Sequence, residues 1–256
     1  MRMGLIGVAA LAALLIAGQA MAADSSKDGS AAPFNWTGLY VGANLGGGWS
    51  SNTANLGPVS ADFHPVFAAG DVATPGVDTS GTIGGLQAGY NYQVCPFGFF
   101  GIETDFQGAS MTSTGIRSTA GAPGGFVPEV TTVDQRLSWF GTLRARIGYT
   151  PINRLAIYGT GGLAYGATNY SADIAFHSIP QLYSGASSDT RAGWTVGGGV
   201  EYFFCNNVSV KVEYLFIDLG SDTVSIGPVI GPRGFASATF DQTDNIFRIG
   251  MNDKFF

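Results

Sequence analysis

The sequence has little charge, few basic residues and no long apolar run beyond its first residues. Charged side chains make up 12% of its 256 residues, about half of the share in an ordinary soluble protein. Together with a positive mean hydropathy, this scarcity points to a membrane. After the N-terminal segment no run reaches about 18 apolar residues, which excludes a spanning helix there. A closed β-barrel is the other structure that satisfies its backbone hydrogen bonds in lipid.

The first residues have the organisation of a secretory signal. Arg2 supplies a positive start, Leu5 to Ile16 form a short apolar core, and Ala20-Met21-Ala22 fits the small-x-small cleavage rule. We therefore predict a signal peptide over residues 1–22. A periplasmic linker over residues 23–35 and an outer-membrane barrel over residues 36–256 follow it.

Apolar and small or polar residues alternate with period two in eight runs of the mature chain. The runs are 39–46, 86–93, 100–107, 137–149, 155–167, 194–202, 208–216 and 247–252. Alternation over about ten residues is the signal of a transmembrane strand. An even number of such runs predicts an all-β fold, an eight-stranded antiparallel up-and-down transmembrane β-barrel.

The connections between the runs alternate in length, as an up-and-down barrel requires. Short ones lie at 95–97, 151–153 and 205–207, whereas long ones rich in Gly, Ser, Thr and Asp lie near 50–80, 112–135, 168–190 and 220–243. Outer-membrane barrels have short periplasmic turns and longer outer loops. We therefore expect three short periplasmic turns and four long outer loops.

Charges within the spans fall on one phase of the alternation, opposite the apolar phase. These are Glu103, Asp105, Arg144, Arg146, Glu201, Lys211, Glu213 and Arg248. Side chains fill the interior of a barrel of about eight strands, and an unpaired buried charge costs several kcal/mol. Four acids and four bases therefore predict a packed ion-pair network in the lumen instead of a pore lining.

Aromatic residues cluster toward the ends of the runs, where their rings suit the lipid–water boundary. The set comprises Trp36, Tyr40, Trp49, Tyr90, Tyr92, Trp139, Tyr149, Trp194, Tyr202 and Tyr214. Tyr40 lies in the inward phase and is a candidate core residue instead. The 39 glycines include triplets that superficially suggest a phosphate loop, but no helix follows them. We expect strand glycines to make room for large lumen side chains.

Several segments resemble small outer-membrane β-barrel proteins of Gram-negative bacteria, the OmpA-like and opacity-protein-like group (porin family, surface antigens). They are FNWTGLYVG from Phe34, GGLQAGYNYQ from Gly84, GIETDFQG from Gly101, LSWFGTLRARIGYTP from Leu137, LAIYGTGGLAYG from Leu155, VSVKVEYLFIDLG from Val208 and NIFRIGMNDKFF from Asn245. The resemblance implies insertion by the outer-membrane assembly machinery, which reads a C-terminal aromatic strand. Phe255 and Phe256 supply that aromatic end here, while Asp253 stands where the group usually has an aromatic residue.

The two cysteines, Cys95 and Cys205, each fall in a short turn of an exported protein, where disulfides form. A bond between them would close a loop of about 110 residues and stabilise the fold by roughly 4–5 kcal/mol. The two turns lie on opposite sides of an eight-strand rim, however, which argues against the roughly 7 Å approach that a disulfide needs. The bonded and free states both stay open at this point.

The expected partners are outer-membrane lipid, lipopolysaccharide and the assembly machinery. The acidic excess of the outer loops excludes nucleic acid, which is bound by Lys and Arg. Some proteins of the resembling group bind haemin, and His64 and His177 in the outer loops are the candidate ligands. No nucleophile–base spacing indicates an enzyme, and no cofactor or metal is expected.

The expected function is that of a structural surface protein with a charge-plugged lumen, contributing to envelope integrity. The alternatives are a narrow porin, a haemin or small-molecule receptor, and an adhesion or immune-facing surface protein.

Overall fold

The computed structural model describes residues 34–58, 76–119, 129–176, 182–230 and 236–255. The predicted signal peptide, most of the linker, the tips of the four long connections and Phe256 lie outside these ranges. Within them, no helix has the length and hydropathy needed to cross a membrane.

Eight strands form the barrel that the alternation predicts. They are β1 (Gly38–Pro58), β2 (Gly76–Cys95), β3 (Gly98–Thr119), β4 (Glu129–Ile152), β5 (Leu155–Phe176), β6 (Leu182–Phe203), β7 (Val208–Ile230) and β8 (Ala236–Phe255). Each strand pairs antiparallel with its neighbours, and β1 also pairs with β8, so the sheet is a closed ring. The predicted fold class is therefore confirmed, as are the three short turns.

The strands are twice as long as the sequence alternation indicated. They contain 20 to 24 residues, whereas about 9–11 tilted residues cross a bilayer. Much of what was predicted as long outer loop is therefore strand. The prediction was wrong there because Ser, Thr and Gly replace the large apolar residues that mark a lipid-facing strand, and these residue types also favour loops.

Large exposed apolar side chains lie on the half of the barrel nearest the short turns. We call this half the membrane band: residues 39–49, 84–95, 98–108, 139–152, 155–166, 194–203, 208–216 and 246–255. The opposite half, the upper cylinder, comprises residues 50–58, 76–83, 109–119, 129–138, 167–176, 182–193, 217–230 and 236–245. Among the described residues of the upper cylinder, the large apolar side chains with high exposure are Ile116 and Val229.

Most of the predicted boundary aromatics are exposed on the membrane band. Trp49, Tyr90, Tyr92, Tyr149, Trp194, Tyr202 and Tyr214 all project outward. Phe255 is also outward, and Asn252 and Lys254 beside it are buried, so the alternation continues through Asp253 to the end of β8.

The phase of β4 changes at the boundary between the two halves. Leu137 was predicted to face lipid, but it is fully buried. The register is irregular between Leu137 and Trp139, where Ser138 has no partner on β5. This irregularity changes which residues of β4 face inward. A bulge of this kind shifts the alternation by one residue, so a single period does not describe the whole strand.

Candidate functional site

Inward-facing side chains fill the barrel in layers along its axis. The mouth layer, nearest the short turns, contains Phe34, Trp36, Phe99, Ala156, Tyr158 and Phe203. Above it lies the charge layer, made of the eight charged residues predicted from the sequence. The middle apolar layer contains Ile83, Met111, Leu137, Phe140, Ala164, Leu215, Ile217, Leu219 and Ile246. An amide layer of Gln135, Gln242 and Asp244, and then an upper apolar layer around Phe240 and Ile174, follow in the upper cylinder.

The structure brings all eight predicted charges together, each at most 3% exposed. Arg144 on β4 is the centre of the charge layer. It contacts Glu103 and Asp105 on β3, the latter at 2.9 Å, and reaches Glu213 on β7 at 3.1 Å. Arg248 on β8 binds Asp105 at 2.8 Å and Glu213 through its Nε at 2.7 Å. Two arginines therefore share two carboxylates across the lumen.

The other two bases complete this arrangement. Arg146 binds Glu201 at 2.8 Å and Glu103 at 3.2 Å, and the Lys211 ammonium donates to both oxygens of Glu103, at 2.8 and 2.9 Å. Each of the four acids contacts at least one base. Charge balance and charge-assisted hydrogen bonds offset the cost of burying so many ions together.

Neutral polar residues belong to the same layer, and two of them, Tyr158 and Ser209, were missed from the sequence. The Tyr158 hydroxyl donates to Glu213 at 2.9 Å, and the Ser209 hydroxyl donates to Glu201 at 2.6 Å. Tyr40, a candidate core residue, is 2% exposed and donates to Glu103 at 2.7 Å. These residues share the inward phase with the charges, so reading that phase for every polar side chain would have found them.

Trp36 closes the periplasmic mouth and does not lie at the lipid boundary, where it was predicted. It is 1% exposed and stacks on Phe99 with ring centroids 5.2 Å apart. Its ring also meets Phe203 edge-on, and its backbone N–H donates to Gln93 Oε1 at 2.8 Å. Trp36 precedes β1, so it is free to turn into the lumen, and the apolar rings available there explain its position.

Glycines on the inward phase give space to large side chains. A Cβ on Gly148 would lie 2.2 Å from the Phe99 ring, and one on Gly89 would lie 2.4 Å from the Tyr40 hydroxyl. Real Cβ atoms essentially never approach non-bonded heavy atoms to less than 3.0 Å. Even an alanine at either position would therefore displace the neighbouring ring. The glycine-rich strands therefore follow from the width of an eight-stranded lumen.

The two cysteines are free and exposed, so the disulfide left open by the sequence is absent. Cys95 lies at the end of β2, beside the β2–β3 turn, and Cys205 lies in the β6–β7 turn. In a ring of eight consecutive strands these two turns are opposite each other. The geometric argument against the bond therefore outweighs the oxidising compartment.

The histidines proposed as haemin ligands, His64 and His177, lie outside the described residues. Among the residues that the structure does describe, no group of three or more His, Cys, Asp or Glu side chains could hold a metal ion.

The amide layer contains a buried carboxylate with no cation beside it. Asp244 is fully buried, and its hydrogen bond comes from Gln242 Nε2. Gln242 Oε1 in turn accepts from Gln135 Nε2 on β4 and, at 3.2 Å, from the Tyr170 hydroxyl on β5. Burial raises the pKa of the Asp244 carboxyl to about 6, and the Gln242 hydrogen bond partly opposes that shift. Burial likewise raises the pKa of the Tyr170 phenol to about 12.

Two stretches of the described upper-cylinder wall lack a ladder of paired residues. Between β1 and β8 the register passes from Trp49↔Asn245 directly to Ala54↔Phe240, and the second stretch lies between β6 and β7. The β6–β7 register runs from Ser184↔Gly227 directly to Trp194↔Asp218. Between these points the side chain of Arg191 bridges the strands, donating to the Ser221 carbonyl at 2.6 Å and contacting Asp222. The upper cylinder is therefore closed by side chains along this seam, next to the amide layer.

The chain is similar to known outer-membrane proteins. Residues 9–252 match the family model described as "Outer membrane protein beta-barrel domain". The chain is 38% identical over 256 residues to the 31 kDa outer-membrane immunogenic protein of Brucella melitensis, covering 95% of this chain and 96% of that protein. It is 28% identical over 223 residues to the 22 kDa outer membrane protein of Rhizobium leguminosarum bv. viciae, covering 86% and 79%.

Solved structures with a similar fold include the outer membrane protein OprG from Pseudomonas aeruginosa. The match has a TM-score of 0.47 and 14% identity, and it covers 86% of this chain and 96% of that chain.

Proposed function

The chain belongs to the outer-membrane protein β-barrel domain family and is an outer-membrane protein, and on this premise we propose that it is a non-enzymatic structural surface protein with a sealed lumen. In this proposal the charge layer is the central seal, and the protein contributes to the integrity of the envelope. Lipid contacts the outward side chains of the membrane band, and lipopolysaccharide surrounds the base of the upper cylinder.

The observation that carries the proposal is that each layer of the described barrel contains fully or almost fully buried inward side chains. Trp36 in the mouth layer is 1% exposed, Arg144 in the charge layer 1%, Leu137 in the middle layer 0% and Phe240 in the upper layer 1%. Apolar layers above and below the charge layer separate it from water, which strengthens its electrostatic interactions. A channel would need a connected polar path past these layers.

The upper cylinder supports a role in surface display. Each strand continues for roughly 10 residues beyond the length that a bilayer requires, and these extensions carry the four long connections outward. Relatives of this chain are named outer-membrane immunogenic proteins. We propose that the upper cylinder is a rigid spacer that presents these connections above the membrane surface, with biogenesis guided by the aromatic end at Phe255.

Solvent access to the lumen tests the seal directly. In a background in which both native cysteines are serine, Ser209→Cys places a thiol in the charge layer, and Ser188→Cys places one on the exposed face of the upper cylinder. A water-soluble thiol reagent should modify the second variant and leave the first unmodified until the folded barrel is denatured. Planar-bilayer recordings of the unmodified protein should show no stable open channel.

Large, stable conductance steps, or labelling of both thiols at similar rates, would contradict a sealed lumen. They would favour the narrow-porin interpretation.

A further inference from the structure

The amide layer differs from the charge layer in leaving an acid without a base. The structure describes six buried carboxylates: Glu103, Asp105, Glu201, Glu213, Asp222 and Asp244. The first four share the bases of the charge layer, and Asp222 pairs with Arg191. Asp244 has no basic partner within salt-bridge distance among the described residues.

The hydrogen bonds around Asp244 form a chain that ends in two acceptor atoms without donors. Gln135 Nε2 donates to Gln242 Oε1, and Gln242 Nε2 donates to Asp244. At the two ends, Asp244 Oδ1 and Gln135 Oε1 have no hydrogen-bond partner although both are buried. A buried acceptor without a donor costs about 1–3 kcal/mol, and more when it is charged. At the Asp244 end a proton would remove the buried negative charge.

We propose that Asp244 is a proton-binding site that controls how firmly β8 is held to β4 and β5 in the upper cylinder. The proton comes from bulk water and forms an O–H bond on the carboxylate; on release it returns to water, and no other covalent bond changes. A proton on Oδ1 removes the buried charge, while Oδ2 keeps the hydrogen bond that it accepts from Gln242 Nε2.

The surroundings leave no competing charge close to Asp244. The residues of the inward phase around this level on the other strands are Ser50 on β1, Thr79 on β2, Ser113 on β3, Gln135 on β4, Tyr170 on β5, Ser187, the exposed Asp189 and Arg191 on β6, and Ile217 and Asp222 on β7. The Arg191 guanidinium forms an ion pair with Asp222. Tyr170 stays protonated at neutral pH because burial raises its pKa to about 12. Asp244 is therefore the buried carboxylate at this level that has no basic partner among the described residues.

The ladder of the wall is interrupted beside Asp244 itself, where residues 241–244 of β8 have no register partner on β1, and again at the β6–β7 seam. Ser187 lies in the unpaired stretch of β6 and is the register partner of Tyr170. Its hydroxyl donates to Asp189 at 2.8 Å and lies 3.3 Å from an oxygen of Asp222, and the Tyr170 hydroxyl donates to Gln242, the donor to Asp244. Polar side chains at these two interruptions thus lie between the outside of the cylinder and the carboxylate.

The direction of the pH effect follows from linkage. The folded-state pKa of Asp244 is raised from 3.8 to about 6, so the folded protein holds a proton that the unfolded chain releases near pH 4. The resulting stability is fully present below pH 4 and is lost as pH rises through 6. Between pH 5 and pH 7.5 the opening equilibrium of the upper cylinder should increase roughly 10-fold.

Hydrogen exchange of the refolded full-length protein in detergent tests this proposal. After correction for the intrinsic pH dependence of exchange, wild-type protection over residues 236–246 should fall roughly 10-fold from pH 5 to pH 7.5. Asp244→Asn, which has the shape of the protonated side chain, should keep the same protection at both pH values. Asp241→Asn, an exposed acid on the same strand, is the matched control and should behave like the wild type.

Equal pH profiles for the wild type and Asp244→Asn would overturn the proposal. If Asp244→Asn does not fold, infrared spectroscopy of wild-type protein with isotope-labelled aspartate decides the matter: a protonated carboxyl band that disappears near pH 6 supports it, and one that disappears near pH 4 refutes it. Protection restored at pH 7.5 by Na⁺ or Mg²⁺, in the wild type but not in Asp244→Asn, would assign a cation site instead.

Discussion

The membrane band and the upper cylinder are one continuous barrel with opposite interiors. On β4 within the band, Arg144 is buried while Leu143 is 44% exposed. Further along the same strand, Val133 and Leu137 are fully buried while Arg136 is exposed. At the level of the charge layer the band thus has a charged core and an apolar surface, whereas this part of the cylinder has an apolar core and a polar surface.

The contrast shows that the solvent, and not the backbone, decides which residues face inward. In the band, hydrocarbon outside demands apolar side chains, so polar groups are placed in the lumen and must satisfy one another. In the cylinder, water outside restores the ordinary arrangement of a soluble β-barrel. The bulge at Ser138 is where β4 changes its phase between these two requirements.

Removing one base from the band should have the largest effect. Arg144→Ala leaves Glu103, Asp105 and Glu213 with fewer cations in a dry interior, so we expect destabilisation by about 3–5 kcal/mol. The exposed Arg136→Ala in the cylinder should change stability by less than about 0.5 kcal/mol. Urea unfolding of both variants in lipid vesicles measures the difference. An unchanged midpoint for Arg144→Ala would mean that water fills the charge layer.

Truncating an apolar residue should be costly in the interior of the cylinder. Phe240 is buried and stacks on Tyr170 with ring centroids 4.7 Å apart, so Phe240→Ala should cost about 3–5 kcal/mol. Because the layers are separate, hydrogen exchange should increase over residues 236–244 and stay slow over 247–255. Phe247→Ala, outward on the same strand, is the control and should leave 236–244 protected. Uniform loosening of β8 would show that the two halves unfold as one unit.

A charge on the outer surface should distinguish the two halves. Leu143→Arg places a cation in hydrocarbon and should cost about 2–4 kcal/mol if residue 143 lies near the midplane. Thr132→Arg, on the outer face of the same strand in the cylinder, should cost less than about 0.5 kcal/mol. Folding yields and unfolding midpoints in vesicles provide the comparison. Equal tolerance of both changes would refute the assigned position of the membrane band.

The smallest effect is expected at the seam. The Arg191 side chain is 27% exposed and its partner Asp222 8%, so water can replace part of their interaction. Arg191→Ala should therefore destabilise by at most about 1 kcal/mol. It should also increase hydrogen exchange in residues 185–193 more than elsewhere, because the side chain bridges strands that have no ladder there. A loss comparable to that of Arg144→Ala would assign the seam a structural role equal to the charge layer.

Alternation predicted the strand number and the ring topology correctly, and the structure places the eight charges of the inward phase among the buried residues. Alternation succeeded because lipid imposes period two with few exceptions. The same reasoning failed for the upper cylinder, where Ser- and Thr-rich strands in water have no lipid-facing signature. It also misplaced Trp36, which precedes β1 and follows no periodic constraint.

The sequence by itself determined which side chains of the membrane band face lipid and which face the lumen, because that choice depends on local alternation and solvent alone. Tertiary structure decided which ions meet. Lys211 is the register partner of Glu201, yet its ammonium donates to Glu103 on the far side of the ring, since a narrow closed lumen lets long side chains reach across it. The absence of a basic partner for Asp244 among the described residues also depends on the closed ring. It is set by the side chains that the other strands direct into the same part of the lumen.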